Sequence, residues 1–245
     1  MIEYSNFKNT TINCNKNYIN IYITKVFGWM FCGLILTSYI AWNIVNTTYI
    51  MQYLFYNKIL LFVLCLLQLG LVFTISNFLN RLSGQILTIL FIFYSCLTGI
   101  TTASICSLYN HNTIFTAFIT AASTFLIMYI WGYTTKKDLS HINNIIMMGL
   151  IGIILSSFIN LFFHNDIIIS IINYISIILF TVLIAVDTQK LKTFANIIST
   201  NLNDTDNIRR YAILGALILY LDFINLFLTI LRVLGNNDKN QENNE

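Results

Sequence analysis

Long apolar runs separated by short polar stretches dominate the chain. Seven runs stand out: Val26–Val45, Ile59–Leu79, Ile86–Leu108, Ile114–Thr134, Ile142–Phe163, Ile167–Val186 and Tyr211–Leu234. Each is close to the ~20 residues an α-helix needs to cross ~30 Å of hydrocarbon. The first twenty residues, "MIEYSNFKNTTINCNKNYIN", and the last ten, "NNDKNQENNE", are polar. The pattern predicts an all-α polytopic membrane protein. It divides into a cytoplasmic N-terminal tail over 1–24, a seven-helix transmembrane domain over 25–235 and a polar C-terminal tail over 236–245. Only the connection Asp187–Arg210 is long. It contains "LKTFANIISTNL", which predicts a short amphipathic helix lying on the membrane surface. No internal repeat is visible.

Composition agrees. Of 245 residues, 57% are hydrophobic and only 9% charged, against ~25% charged in a soluble domain; the mean hydropathy is +0.72. There is no room for a second, soluble domain. The first twenty residues carry no apolar core ahead of a small-residue cleavage site, so no cleaved leader is expected. The net charge of +3 sits in loops and does not suggest nucleic acid; the partner composition calls for is the lipid bilayer. Proline is absent and Gly numbers only 10. A genome rich in A and T accounts for both, and for the abundance of Asn.

Charge also sets an orientation. If seven helices alternate, ten of the thirteen Lys and Arg residues fall on the side of the N-terminal tail. The positive-inside rule then puts the N-terminus in the cytoplasm and the C-terminus outside. An even number of spans would spoil the alternation, so the charges support seven independently of hydropathy.

Few titratable groups remain at membrane depth. Asp222 lies mid-way along the seventh segment, Asp187 at the cytoplasmic end of the sixth, and Arg81 at the cytoplasmic end of the second. A carboxylate at the centre of a spanning helix costs about 2.5–3.5 kcal/mol on insertion scales, so it faces protein or water rather than lipid. At 100° per residue, Gly215, Asp222, Asn225, Thr229 and Arg232 share a sector of roughly 100°. Such a stripe predicts that the seventh helix is surrounded by the others. The third and fourth segments carry "SCLTGITTAS" and "TAFITAAST", small residues that let helices approach closely. Two carboxylates close together at such depth tend to share a proton, and a nearby Arg favours their ionised form. The trio is a candidate pH switch, or else an inert interhelical ion pair that fixes packing.

Other chemistry is not supported. His111, His141 and His164 share no metal-ligand spacing. The cysteines Cys14, Cys32, Cys65, Cys96 and Cys106 form no CxxC pair and read as small apolar residues in helix packing. HExxH, GxSxG and P-loop patterns are missing, so no enzyme and no resident cofactor are expected. The sequons at Asn9, Asn46 and Asn203 are expected by chance in so Asn-rich a chain. Trp42 and Trp131, near segment ends, read as interfacial anchors.

Six stretches carry a resemblance: "YITKVFGWMFCGLILT", "SCLTGITTASI", "TKKDLS", "GLIGIILSSFINLF", "LIAVDTQKLK" and "LYLDFINLFLTILRVLG". On these the chain resembles the Bax-inhibitor family of seven-helix membrane proteins, and most closely its bacterial YccA-like branch. The resemblance implies a central seventh helix. It also implies a hydrogen-bonded pair of acids at Asp187 and Asp222, with an Arg at the position of Arg81 that bonds the pair and holds a pore shut. Family members are reported to conduct or leak Ca²⁺ in a pH-dependent way. The bacterial branch is linked to a membrane AAA protease, and eukaryotic relatives to suppression of cell death. The chain departs from some relatives in having Gln68 and Gly70 where they carry an acid in the second helix, and in lacking a lysine-rich C-terminal ending.

Two functions follow as expectations. The first is a pH-sensitive cation leak, with Asp187, Asp222 and Arg81 as sensor and gate, Asn225 and Thr229 as supporting polar face, and the two aspartates as a transient Ca²⁺ site. The alternative is a regulator that binds a membrane AAA protease or a stress or cell-death partner without conducting ions. The expected location is a bacterial inner membrane rather than an organelle.

Overall fold

The computed structural model describes residues 2–47, 49, 51–53, 57–135, 137–163, 165–200 and 205–242. Among them lie α1 (Ile2–Asn46), α2 (Lys58–Asn77), α3 (Gly84–Cys106), α4 (His111–Thr134), α5 (Ser140–Phe163), α6 (Asp166–Thr200) and α7 (Thr205–Glu242). All seven contain a stretch long and apolar enough to span a bilayer, in the order the hydropathy predicts. The protein is a multi-pass integral membrane protein. Two helices run further than expected. α1 begins at Ile2, well ahead of its apolar stretch, and α6 continues through Leu191–Thr200 instead of breaking into a separate surface helix. Neither extension contains proline or glycine, so nothing interrupts the backbone ladder.

The helices differ sharply in how much they are enclosed. In the most apolar window of α7, 72% of residues are buried, against 56% in α3 and 6% in α2 and in α5. The expected enclosure of the seventh helix is thus observed. The apolar side chains of α2 and α5, such as Phe62, Leu69, Ile154 and Phe158, are exposed, as lipid-facing residues must be.

Contacts divide the chain into two compact units. The first comprises Met1–Ser104 and Lys190–Tyr220. Its core is the first half of α7, where Ala212, Ile213, Ala216, Leu217 and Tyr220 are fully or almost fully buried. Gly215 is required there: a Cβ would lie 2.7 Å from Leu191 and 2.9 Å from the Tyr22 hydroxyl. Tyr22 Oη donates to the Tyr211 carbonyl at 3.3 Å. A hydroxyl network crosses this unit. Thr37 Oγ1 and Tyr220 Oη lie 2.6 Å apart, Thr37 donates to the Ser95 carbonyl, and the Gln68 amide donates to Thr101 Oγ1 at 3.1 Å. Tyr220 also packs edge-on against Phe91 and Tyr94.

The second unit comprises Ile105–Gln189 and Leu221–Glu245. Phe118 and Phe125 of α4 pack edge-on against Phe223 of α7, at 5.7 and 5.8 Å between ring centres. Leu139, Ile146, Ala185 and Val186 form one buried cluster. α4 reaches α6 through Gly132, where a Cβ would lie 2.6 Å from the Ala185 carbonyl oxygen. Small residues at such crossings are how membrane helices come into contact.

Candidate functional site

Asp187 and Asp222 both belong to the second unit. The run Ile184, Ala185, Val186 is 0–2% exposed and leads directly into Asp187, 7% exposed, and Thr188, 1% exposed. α6 therefore carries an acid into a dry environment at the end of an apolar stretch. The neighbouring polar groups are locally satisfied. Thr188 Oγ1 donates to the Ile184 carbonyl at 2.6 Å. Gln189 turns to the connection between α4 and α5: its Oε1 accepts the Leu139 N–H at 3.0 Å and its Nε2 donates to the Lys137 carbonyl at 2.6 Å. The stretches "TKKDLS" and "DTQ" are thereby tied together physically. Gly132, by letting the α4 backbone touch Ala185, sets the position of α6 two residues before the acid.

Asp222 is 3% exposed on α7, next to Phe223 and its aromatic partners from α4. Both carboxylates take part in polar or electrostatic contacts, as buried charges must. Two turns further along α7, Thr229 Oγ1 donates to the Asn225 carbonyl at 2.7 Å. Asn225 and Thr229 line a cavity of about 520 Å³. The predicted polar stripe is therefore buried at Gly215, Asp222 and Thr229, half-buried at Asn225 and exposed at Arg232.

Arg81 belongs to the first unit, sits exposed in the turn between α2 and α3, and holds its guanidinium 5.9 Å from the centre of the Phe78 ring. That is cation–π distance. Arg209 and Arg210 engage helix ends. Arg209 Nε donates to Thr88 Oγ1 at 3.0 Å. Arg210 pairs with Asp206 at 2.6 Å and reaches the Asn80 carbonyl at 3.4 Å. Asp206 Oδ1 also accepts the Gly84 N–H at 2.9 Å. Gly84 opens α3, so α7 supplies a carboxylate cap to another helix, favoured by the helix dipole. A side chain at position 84 would collide with that cap: its Cβ would lie 2.7 Å from Asp206 Oδ1.

The seven-helix membrane fold agrees with comparison to known proteins. The family profile described as "Inhibitor of apoptosis-promoting Bax1" matches residues 19–239. The chain belongs to the Bax inhibitor family. Among its relatives, the inner membrane protein YbhL of Escherichia coli is 44% identical over 218 residues, 89% of this chain and 92% of YbhL. A protein of Borreliella burgdorferi is 38% identical over 216 residues, 88% of this chain and 92% of its own length. A membrane protein of Streptococcus pyogenes is 31% identical over 228 residues, 90% of this chain and 94% of its own length. The Bax inhibitor family is one of integral membrane proteins rather than of enzymes. Among the described residues, no group of three or more His, Cys, Asp or Glu side chains gathers as a metal site.

Proposed function

We propose that this Bax inhibitor family protein is a pH-sensitive cation leak in a bacterial inner membrane, gated by Asp187 and Asp222. The observation that carries this reading is the burial of both carboxylates, 7% and 3% exposed, in one unit of a chain so poor in charge. Acids at membrane depth are costly and mark ion or proton pathways by default. Two carboxylates within a few ångströms cannot both ionise cheaply, so such a pair loses its protons in two separated steps and holds one of them to higher pH. The ionised pair attracts a divalent cation. Ca²⁺ takes 6–8 oxygen ligands and favours carboxylates. The two aspartates would provide part of that shell, with waters or carbonyls completing it, so binding is transient, as transport requires. The location follows the E. coli relative, described as an inner membrane protein.

Arg81 is the third member of the proposal. Its guanidinium would bond the ionised acids in the closed state and leave them on protonation. Arg81→Ala then raises basal flux and flattens its pH profile. Arg81→Lys restores the latch only in part, because an ammonium lacks the planar two-pronged contact. A folded Arg81→Ala protein with unchanged flux and pH profile would reduce Arg81 to an inner-face surface charge.

The deciding experiment reconstitutes the purified protein in liposomes and follows Ca²⁺ entry between pH 6 and 8. Asp187→Asn combined with Asp222→Asn should abolish both the flux and its pH dependence. Absence of flux in the native protein, or flux untouched by the double substitution, overturns the reading.

A further inference from the structure

The cavity of about 520 Å³ in the second unit is walled by α5, α6 and α7. Its lining comes from the half of each helix nearest the α5–α6 turn: Ser157 and Asn160 on α5, Asn173 and Ser176 on α6, Thr229 and Arg232 on α7. Four of these polar side chains are deeply buried, Asn160 at 6%, Asn173 at 8%, Ser176 at 4% and Thr229 at 5% exposure. The hydroxyl protons are spent within their own helices, Ser176 Oγ on the Ile172 carbonyl and Thr229 Oγ1 on the Asn225 carbonyl, both at 2.7 Å. Asn160 Oδ1 accepts the Asn165 N–H at 3.1 Å. What remains turned to the cavity is a set of amide groups, hydroxyl lone pairs and one guanidinium.

Lipid tails cannot satisfy such groups, and leaving them unsatisfied costs several kcal/mol each. Water can. Ile153, Ile169, Ile172, Phe180 and Leu228 complete the walls, and a cavity of this size with polar groups turned into it holds on the order of 15 waters at ~30 Å³ each. The depth is also informative. The lining of α7 runs from Arg232 inward to Asn225. Asp222 is the next residue on that face, three positions and ~4.5 Å further along the axis. Among the described residues no carboxylate lines the cavity, and the charged side chain in that lining, Arg232, is exposed at the end furthest from Asp222.

We infer that this cavity is an aqueous vestibule, open on the side of the α5–α6 turn and ending one helical turn short of Asp222, and that Arg232 makes it favour small anions over cations. By the distribution of Lys and Arg that side is the outer one. A positive charge beside a water-filled cleft with low-dielectric walls raises the local concentration of anions and lowers that of cations. Arg232 thus acts on selectivity: it restrains cation approach to Asp222 and keeps a leak small. This deepens the leak reading, but the vestibule can be tested without any flux, so either can fail alone.

The test is thiol accessibility in sealed, oriented vesicles. Single cysteines replace Ser176 and Thr229 in the full chain, with the native cysteines changed to serine or alanine. Ile154→Cys, on the exposed apolar surface of α5, serves as the lipid-facing control. Membrane-impermeant thiosulfonates, one anionic and one cationic, are added from the outer side. Ser176→Cys and Thr229→Cys should react while Ile154→Cys does not, and the anionic reagent should react about three- to tenfold faster relative to its rate with a free thiol. Arg232→Glu should reverse that preference. Labelling no greater than at Ile154→Cys, for both positions, would mean a lipid-filled or closed cavity and overturn the vestibule. Labelling with a charge preference indifferent to Arg232→Glu would overturn the role of Arg232.

Discussion

Gly132→Ala is the sharpest single test of how the acid-bearing end of α6 is held. The added Cβ would lie 2.6 Å from the Ala185 carbonyl oxygen and 2.7 Å from its Cα, about 0.8 Å inside the 3.4 Å at which ordinary contact begins. Every close atom is backbone, so no rotamer change relieves the clash and the two helices must separate locally. Overpacking of this kind costs ~1–3 kcal/mol. At ~2–4 °C per kcal/mol for a chain of this size, Tm should fall by roughly 2–12 °C. The assay is thermal unfolding of the purified protein in a mild detergent, compared with Gly152→Ala. Position 152 on α5 has nothing within 4 Å of the added carbon. Alanine there is favoured by about 0.5–1 kcal/mol of helix propensity, so that variant should match or exceed the native protein. Because Ala185 precedes Asp187 by two residues, Gly132→Ala should also change any pH-dependent flux. Equal melting of the two variants would refute the claim that α4 and α6 meet backbone to backbone at this point.

Gln189→Ala should orphan the Leu139 N–H and the Lys137 carbonyl, costing ~1–2 kcal/mol; hydrogen exchange at the Leu139 amide should quicken by about 5–30-fold, and an unchanged rate would show that the loop is held by other contacts. Asp206→Ala removes the cap on Gly84 and the partner of Arg210. Because Asp206 is 37% exposed, the loss is discounted to ~1 kcal/mol, and it should appear as faster proteolysis in the α2–α3 turn, whereas a protease-resistant turn would deny Asp206 its capping role.

Much of this protein is legible in one dimension. Hydropathy is a local sum, so the seven spans could be counted from the chain. The polar stripe of α7 follows from the helical period alone, and enclosure of that helix follows because lipid will not accept such a stripe. The stretches around Asp187 and Asp222 carry enough specific residues to point to the family. What the chain could not disclose depends on distances between residues far apart in sequence. Arg81, Arg209 and Arg210 look alike as inner-face charges. Only folding sets Arg81 over Phe78 and sends Arg209 and Arg210 to Thr88 and Asp206. Asp206 reads as a loop acid until it is seen capping a helix that starts more than a hundred residues earlier. Gly132 is one glycine among ten until Ala185 arrives against it. The cavity beside Asn225 and Thr229 is a property of three helices at once. Its polar residues are scattered through α5, α6 and α7 at positions that have no common face until the helices pack, since helix periodicity orders side chains around one axis and says nothing about which axes become neighbours.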